Sequence, residues 1–278
     1  LHDLKNKKGY LLCHHCNYRE DFLNICETCG SEDKFSFSGV GVEKIHELIS
    51  NEFPQSESCI LSSDTIKNHE KFKDLITKII SNKINIIIGT QLITKGHNFP
   101  FLKTVIILNI DNLLNDINFR SYEKTFQQII QVSGRAGRKK LQGEVFIQTF
   151  QPNHQVIKLC KSQNIKNFTK WEIESRKKNL QPPFKSYISL ILISKLEKEL
   201  ISFSNIISEK IKKTFNELTV YGPAPALLYK KNLDFRYRIL LKLEKSSKIQ
   251  NNIKTFLINL QTPSKVRLYI DVDPINFI

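Results

Sequence analysis

The sequence predicts an α/β protein in which helices cover a mainly parallel sheet, followed by a smaller α+β unit. Between residues 42 and 150, amphipathic helical segments alternate with compact runs of β-branched and aromatic residues, an order typical of parallel strands. The segment Gln181-Pro182-Pro183-Phe184 cannot continue a helix and marks a boundary. Beyond it the elements follow the different order β-α-β-β-α-β.

The elements before the boundary combine helical and strand periodicities. In chain order they are a helix over Val42–Phe53, a strand over Cys59–Ser62, a helix over Ile66–Ser81, strands over Ile84–Ile88 and Thr104–Ile110, a helix over Ser121–Val132, a strand over Val145–Phe150 and helical segments from His154 to Asn179. Strands that are separated by helices pair in parallel. This part of the chain therefore predicts a helix-covered parallel sheet.

The elements after the boundary have a different rhythm. They are a strand over Ser186–Ser194, a helix over Glu197–Asn216, strands over Thr219–Tyr229 and Phe235–Leu243, a helix over Ser246–Leu260 and a strand over Lys265–Val272. This order is the split βαβ arrangement of a ferredoxin-like sandwich. The second part therefore predicts a separate α+β domain.

The charge balance indicates an acidic polymer as partner. The 278 residues include 42 Lys+Arg and 27 Asp+Glu, a formal net charge of +15. The abundance of Lys, Ile and Asn is typical of an AT-rich genome and accounts for part of this excess. No apolar run approaches the ~20 residues of a membrane-spanning helix, so we expect a soluble protein. The chain has no Met and no signal-peptide core at its start, so we expect it to begin inside a larger gene product.

Two Cys-x-x-Cys pairs predict a metal site. The six cysteines are the pairs Cys13/Cys16 and Cys26/Cys29 and the isolated Cys59 and Cys160. In a chain without a secretory signal, paired cysteines favour metal binding over disulfides. The spacing of the two pairs is that of a four-thiolate zinc knuckle. The neighbouring His14 and His15 are not expected to bind the metal.

A glycine-containing turn follows the strand that ends near Ile88. The sequence reads Gly89-Thr90-Gln91 and then Lys95-Gly96-His97-Asn98. Ligands bind where parallel strands end, and glycine lets the backbone approach a phosphate closely. Taken alone, the stretch is better explained by a βα turn in which Thr90 caps a helix.

A second motif, Gln131-Val132-Ser133-Gly134-Arg135-Ala136-Gly137-Arg138, follows the predicted helix. Its two arginines lie on one side of a helical turn, where rigid guanidinium groups suit the charge that develops on a transferred phosphoryl group. A solvated basic helix end is the alternative, because Lys139 and Lys140 follow directly. The repeated Gly-Arg with Gln131 upstream favours the phosphoryl interpretation.

These two stretches, in this order, resemble motifs V and VI of the superfamily 2 helicases. Nearly the whole chain is similar to the primosomal replication-restart helicases of that superfamily. Further similar segments are Gly39–Glu43, Phe119–Glu123, Pro182–Phe184, Gly222–Ala226, Arg236–Arg238 and Asp271–Pro274. The resemblance implies a partial zinc-binding segment over 1–38, a RecA-like second helicase lobe over 39–183 and an α+β DNA-binding domain over 184–278.

The resemblance also implies roles for the motif residues. The implied sets are Arg138, Arg135 and Gln131 for catalysis, Gly96 and Asn98 for nucleotide, and Thr90, Gln91 and Lys95 for a phosphate of single-stranded DNA. Arg138 is the expected arginine finger, reaching from this lobe to nucleotide held by a first lobe.

Basic and aromatic residues are interleaved in the carboxy-terminal domain. They are Lys230, Lys231, Arg236 and Arg238, with Tyr229, Phe235 and Tyr237. Such a mixture can bind backbone phosphates and stack bases, whereas alternating aromatics on a strand also fill cores. The residues alone leave both interpretations open. The resemblance favours DNA binding through Lys230, Arg236 and Arg238.

Two features limit what the chain is expected to do alone. No glycine is followed by Lys, so there is no Gly-Lys-Ser/Thr phosphate loop, and no Asp-Glu dipeptide is present to hold magnesium. We therefore expect ATP and magnesium to be used only together with a missing first lobe. In the resembled family, four cysteine pairs bind two zinc ions in a nested manner. The two pairs here therefore form either half-sites or one re-paired zinc site.

Two functional hypotheses follow from the sequence. The first is the carboxy-terminal part of an ATP-dependent 3′–5′ DNA helicase for replication restart and primosome assembly at stalled forks, in the bacterial cytoplasm at the nucleoid. Its implied partners are single-stranded and forked DNA, primosome proteins, single-strand-binding protein and the missing amino-terminal half, with no membrane. The alternative is a non-catalytic zinc-dependent module that binds DNA or the primosome, from a split or decayed gene.

Overall fold

The computed structural model describes residues 10–12, 19–21, 25, 30–31, 41–62, 69–90, 99–136 and 143–277. The chain divides into two compact units, one formed by Ser36–Lys170 and the other by Leu1–Phe35 with Trp171–Ile278. The division at Lys170 falls inside a helix, upstream of the boundary predicted after residue 183. The three predicted domain ranges therefore stay predictions.

A short hairpin lies near the start of the chain. Strand β1 (Tyr10–Leu12) pairs antiparallel with β2 (Arg19–Asp21), and Leu12 lies opposite Arg19. The connection between these strands contains the first predicted cysteine pair. The four predicted zinc ligands, Cys13, Cys16, Cys26 and Cys29, lie outside the described residues.

The first unit alternates helices and strands as the sequence predicts. Its elements are α1 (Val42–Glu52), β3 (Ser58–Leu61), α2 (His69–Ile80), β4 (Ile86–Gly89), β5 (Thr104–Ile107), α3 (Asp111–Leu114), α4 (Ser121–Ser133), β6 (Glu144–Ile147), α5 (Gln155–Lys161) and α6 (Ile165–Lys178). Helix α3 is a single turn that the periodicity did not predict. Helix α6 continues across the division into the second unit.

The strands of the first unit pair in parallel, as predicted, but not in one sheet. Strand β3 pairs with β4, and β5 pairs with β6. Among the described residues no ladder joins the two pairs, so the predicted sheet is a pair of two-stranded sheets. Strands β4, β5 and β6 are also shorter than predicted, whereas β3 has the predicted length and is shifted by one residue. The strand predicted to reach Ile110 ends at Ile107, because Asn109 has a left-handed φ of 50°, which extended backbone cannot have.

The core of the first unit lies where helices cover the β3–β4 pair. Cys59 and Leu61 of β3 are buried with Ile79, Ile84 and Phe99. The buried positions on β3 alternate, because successive side chains of a strand point to opposite faces. Elsewhere in this unit the rings of Phe126 and Phe168 stack with centroids 3.9 Å apart. Apolar contact of this kind is the main favourable term for such a unit.

The two isolated cysteines are buried thiols of this unit and give a pH-dependent stability. Burial raises the pKa of Cys59 to about 11 and that of Cys160 to about 12, from an ordinary value of 9.0. Above pH 9 the unfolded chain releases these protons while the folded chain keeps them. The free energy of unfolding therefore falls as the pH rises from 9 toward 11.

We expect the urea midpoint of the chain to be lower at pH 10 than at pH 8, and the decrease to be smaller in Cys160→Ala. Urea unfolding at the two pH values measures this difference. The variant removes one buried thiol from the titration without touching the predicted zinc ligands. An identical pH dependence in the parent chain and the variant would contradict the assignment.

The second unit has the predicted order β-α-β-β-α-β. Its elements are β7 (Ser186–Ser194), α7 (Glu197–Thr214), β8 (Thr219–Lys231), β9 (Asp234–Leu243), α8 (Ser247–Ile258) and β10 (Arg267–Val272). The strands form one sheet in the order β10-β7-β9-β8, and all neighbours are antiparallel. In the parts of the chain that the structure describes, no helix is long and apolar enough to cross a membrane.

One face of this sheet forms the core of the second unit. Its side chains alternate with those of the opposite face, so Leu190 and Leu192 of β7 and Ile239 and Leu241 of β9 are fully buried. They pack with apolar residues of both helices, namely Leu200, Ile207, Ile211, Ile253 and Leu257. The opposite face of β9 carries Arg236, Arg238 and Lys242, which the same alternation directs away from the core.

Candidate functional sites

The first predicted motif begins at the carboxyl end of β4. Strands β3 and β4 are parallel and end together, with Leu61 opposite Gly89. Thr90 follows directly and is exposed. This is the edge of a parallel pair at which ligands bind. The other predicted residues of this motif, Gln91, Lys95, Gly96 and Asn98, lie outside the described residues.

The second predicted motif begins at the end of α4. The helix ends at Ser133, and Gly134 caps it with an amide that donates to the Ile130 carbonyl at 3.0 Å. The Ser133 Oγ donates to the Ile129 carbonyl at 2.7 Å. Gln131 is exposed on the last turn, and Arg135 is half-buried in the turn that follows. The carboxyl end of a helix favours a cation, because its carbonyls carry partial negative charge.

The motif continues past α4, as the helix predicted to end at Val132 implies. The Arg135 amide donates to the Val132 carbonyl at 3.0 Å and the Ala136 amide to the Ser133 carbonyl at 3.1 Å, so residues 134–136 form a tighter turn directly after the helix. Arg138 lies outside the described residues, so its direction relative to Arg135 stays a prediction.

A buried carboxylate that the sequence analysis missed lies near the carboxyl ends of β5 and β6. Asp111 is buried at the start of α3. It accepts hydrogen bonds from the Thr149 hydroxyl at 2.8 Å and the Phe150 amide at 3.0 Å. Both donors follow β6, so Asp111 fixes the chain after one strand to the chain after its neighbour. The signal in the sequence is an acidic residue shortly after a β-branched run.

The segment before α4 is fixed by an ion pair. Arg120 donates from Nε and Nη2 to the two carboxylate oxygens of Glu123, at 3.0 and 2.8 Å. These hydrogen bonds to the Glu123 carboxylate are the main reason that the pKa of Arg120 is raised. The Asn118 Oδ1 accepts from the Arg120 amide at 3.0 Å and is buried there. The start of the helix that leads to the second motif is therefore held by side-chain contacts.

The three basic residues predicted to bind DNA in the second unit do not share one face of its sheet. Lys230 lies opposite Phe235, and its Nζ lies 4.7 Å from the centre of that ring on the core side. Arg236 and Arg238 lie on the opposite side, because residues of a strand alternate. Arg236 is half-buried, and among the described residues its Nε has no hydrogen-bond partner.

Arg238 is engaged within the protein. Its Nη1 donates to the Phe277 carbonyl at 2.6 Å, and its guanidinium lies 4.8 Å from the centre of the Phe277 ring. Burial lowers the pKa of Arg238. The Phe277 ring also lies 6.1 Å from that of Tyr187 on β7. Arg238 thus holds the end of the chain against the sheet, a role that the sequence analysis did not predict.

The aromatic residues of this region divide between core and surface. Phe235 and Tyr237 pack against the buried cluster of the second unit, which favours the core interpretation for both. Tyr229 is more exposed, and its hydroxyl donates to Glu197, as does that of Tyr237 at 3.3 Å. The hydrogen bond to Glu197 raises the pKa of Tyr229 to about 12. Glu197 therefore joins the start of α7 to strands β8 and β9.

Comparison with known proteins places both units in one family. Residues 10–140 match the helicase conserved C-terminal domain, and residues 178–275 match the primosomal protein N C-terminal domain. Over 267 residues the chain is 34% identical to the replication restart protein PriA of Rickettsia conorii, covering 96% of this chain and 41% of that relative. The chain belongs to the PriA family. The resemblance that the sequence predicts is confirmed.

Two further PriA relatives show the same partial coverage. The replication restart protein PriA of Synechocystis is 32% identical over 275 residues, which are 98% of this chain and 32% of the relative. That of Haemophilus influenzae is 32% identical over 270 residues, which are 96% of this chain and 37% of the relative. The chain thus spans less than half the length of these curated PriA proteins and corresponds to their carboxy-terminal part.

Proposed function

We propose that this chain is the carboxy-terminal part of an ATP-dependent 3′–5′ DNA helicase for replication restart and primosome assembly at stalled forks. The observation that carries the proposal is the presence of both matched domains, in order, on one chain with PriA relatives at 32–34% identity. The non-catalytic binding module considered above is not favoured, because the match includes the helicase domain as well as the carboxy-terminal one.

The first unit acts in this proposal as the second, RecA-like motor lobe. Its parallel strand pairs and the carboxyl-edge position of Thr90 support that assignment. The proposed catalytic set is Arg138, Arg135 and Gln131, the nucleotide set is Gly96 and Asn98, and the DNA-coupling set is Thr90, Gln91 and Lys95. A cation beside the phosphates of ATP stabilises the charge that develops during phosphoryl transfer. ATP and magnesium are held by the first lobe, which supplies the phosphate loop.

The second unit is a ferredoxin-like DNA-binding domain in this proposal. The sheet order β10-β7-β9-β8, with two helices packed on one face, supports the fold assignment. Lys230 and Arg236 remain proposed phosphate contacts, because neither has an acidic partner among the described residues. Arg238 stays a proposed phosphate contact as well, since its guanidinium has further N–H donors besides the Nη1 that binds the Phe277 carbonyl.

A zinc ion fits the cysteine pairs by their chemistry and by the hairpin around the first pair. Four thiolates are a preferred donor set for structural zinc. The antiparallel strands β1 and β2 bring Leu12 opposite Arg19, so Cys13 and Cys16 lie in one short connection. Cys13, Cys16, Cys26 and Cys29 would hold the ion, which would fix the fold of a segment too short for a core of its own.

The partners in this proposal follow from the replication fork. They are single-stranded and forked DNA, primosome proteins, single-strand-binding protein and the amino-terminal half of the helicase. A bacterial cytoplasmic location at the nucleoid follows from these partners. The net charge of +15 supports a polyanionic partner.

The test of the motor assignment is reconstitution with a first lobe. The chain is mixed with an amino-terminal PriA fragment that carries Gly-Lys-Thr and Asp-Glu-x-His motifs, and ATP hydrolysis is measured with and without forked DNA. We expect neither part alone to hydrolyse ATP and the mixture to show DNA-stimulated hydrolysis. A mixture that forms a complex, as seen by gel filtration, yet hydrolyses no ATP would contradict the proposal.

A further inference from the structure

The turn between β8 and β9 holds a leucine in an unfavourable backbone conformation. Asn232 and Leu233 connect the paired residues Lys231 and Asp234, with left-handed φ values of 50° and 69°. Asparagine adopts this conformation readily, but for leucine it is strained, because its Cβ approaches the following carbonyl. The Leu233 side chain is 66% exposed, so the fold gains little burial from it. The two-residue hairpin turn requires positive φ at both positions, and it projects the Leu233 side chain away from the sheet.

Four lysines and a second exposed leucine surround this turn. Strand register places the end of β7 beside the start of β9, with Ser194 opposite Phe235, so the chain that follows β7 lies at the same end of the sheet. We call this surface the hairpin end. It consists of Lys195, Leu196, Lys198, Lys230, Lys231 and Leu233. All of these side chains are exposed except Lys230, which is half-buried over Phe235.

The carboxylates near the hairpin end are already occupied by other groups. Glu197 accepts hydrogen bonds from the hydroxyls of Tyr229 and Tyr237. The remaining pairs are Glu199 with Lys265 and Asp234 with Arg267. The four lysines have no acidic partner among the contacts of the described chain. Glu197 has no cationic partner among the described contacts, but the four lysines outnumber it, so the hairpin end carries a net positive charge around two exposed apolar side chains.

We infer that the hairpin end binds DNA at the junction between single strand and duplex. Leu233, at the projecting turn, packs on the exposed face of the last base pair. The lysines neutralise phosphates on either side of it. Apolar side chains of this kind pack against exposed or unstacked base steps, and a base pair offers an exposed apolar face only where the duplex ends. The inference rests on the proposed function, since it assumes that the second unit binds DNA.

The charge pattern favours DNA over an acidic protein segment. Phosphates repeat along both strands that leave a junction, and the lysines lie on two sides of Leu233, in the chain after β7 and at the end of β8. Each lysine that contacts a phosphate releases bound counterions, which makes such an interaction strongly dependent on salt.

The test compares Leu233→Gly with Leu180→Gly in the full 278-residue chain. Leu180 is a matched control, because it is also an exposed leucine with a left-handed φ of 50°, and it lies after α6 near Lys242, toward the other end of β9. Glycine adopts these backbone angles without strain, so both variants are expected to fold at least as well as the parent chain. Thermal unfolding checks this expectation.

Fluorescence anisotropy measures binding to forked, single-stranded and blunt duplex DNA at fixed salt. We expect Leu233→Gly to weaken binding to the fork about fivefold, while binding to single-stranded DNA stays within about twofold, because single-stranded DNA presents no terminal base pair to an apolar side chain. Leu180→Gly is expected to bind all three DNAs as the parent chain does. Equal fork affinities for the two variants would overturn the inference.

A lysine variant separates the remaining outcomes. Lys231→Gln is expected to weaken binding to fork and single strand alike and to reduce the slope of log affinity against log salt by about 0.7 to 0.9. If Lys231→Gln leaves all DNA binding unchanged, the hairpin end is not a DNA surface, and an acidic protein segment becomes the better candidate. If the parent chain binds none of the DNAs, the proposed DNA-binding function fails together with the inference. Fork binding that is lost in Leu180→Gly but kept in Leu233→Gly would also overturn the inference.

Discussion

Arg138→Ala in the reconstituted motor is expected to lower DNA-stimulated ATP hydrolysis by about a thousandfold or more. An arginine finger is worth about 10³ to 10⁵ in rate, because its fixed charge meets the negative charge that develops on the transferred phosphoryl group. The proposal places the positive charge of Arg138 on this lobe and the nucleotide on the first lobe. ATP hydrolysis by the mixture of variant chain and first lobe measures the effect, at saturating forked DNA.

Two neighbouring variants make the result specific. Lys139→Ala removes an adjacent cation that has no proposed catalytic role and is expected to leave hydrolysis within about twofold, as surface changes usually do. Arg135→Ala is expected to reduce hydrolysis less than Arg138→Ala does, because Arg135 assists the finger. Gel filtration must show that each variant still binds the first lobe. Hydrolysis unaffected by Arg138→Ala would show that this residue is not the finger.

The purified chain is expected to contain about one zinc ion, and Cys26→Ser is expected to remove it. The reason is that three thiolates hold zinc far more weakly than four do, and a segment without its own core depends on the ion for its fold. Metal analysis after extensive dialysis gives the stoichiometry. Cys160→Ala is the matched control, because Cys160 is a buried thiol outside the predicted site and its loss is expected to leave the zinc bound.

The zinc result also separates the two arrangements that the sequence leaves open. In a single re-paired site both cysteine pairs bind the same zinc ion. Loss of any of the four cysteines is therefore expected to remove all of the zinc. Half-sites hold metal weakly, and each pair then loses it independently and at low chelator concentration. A chain that carries no metal and has four reactive thiols at these positions would show that this fragment forms neither arrangement.

Element positions in this protein are largely a local property of the sequence. The strand Ser186–Ser194 has the predicted bounds, and helix α4 begins at the predicted Ser121. The strand follows from a compact run of apolar residues, and the helix from apolar residues at every third or fourth position. Bounds that depend on a single backbone angle were harder to predict. Asn109 ends β5 early, and no composition pattern shows its left-handed φ.

The motifs of the candidate sites could be predicted from the sequence, but the long-range contacts of their residues could not. The two motifs with their arginines and glycines are visible in the sequence because they are short and chemically distinctive. Arg238 looked equivalent to Arg236, yet it contacts Phe277, 39 residues away. Contacts across such separations depend on the sheet register, which periodicity does not specify. The same holds for Asp111, whose two donors lie 38 and 39 residues further along the chain.

Residue type and spacing were enough to predict the family and the order of most helices and strands, whereas the roles of the residues in the two motifs stay predictions. The pairing of β3 with β4 and of β5 with β6 among the described residues, and the partners of the cations in the second unit, became visible in the tertiary structure. That structure also decided that four lysines gather around Leu233. These features arise when strand pairing brings distant segments together, and their free energies depend on neighbours that the local sequence does not contain.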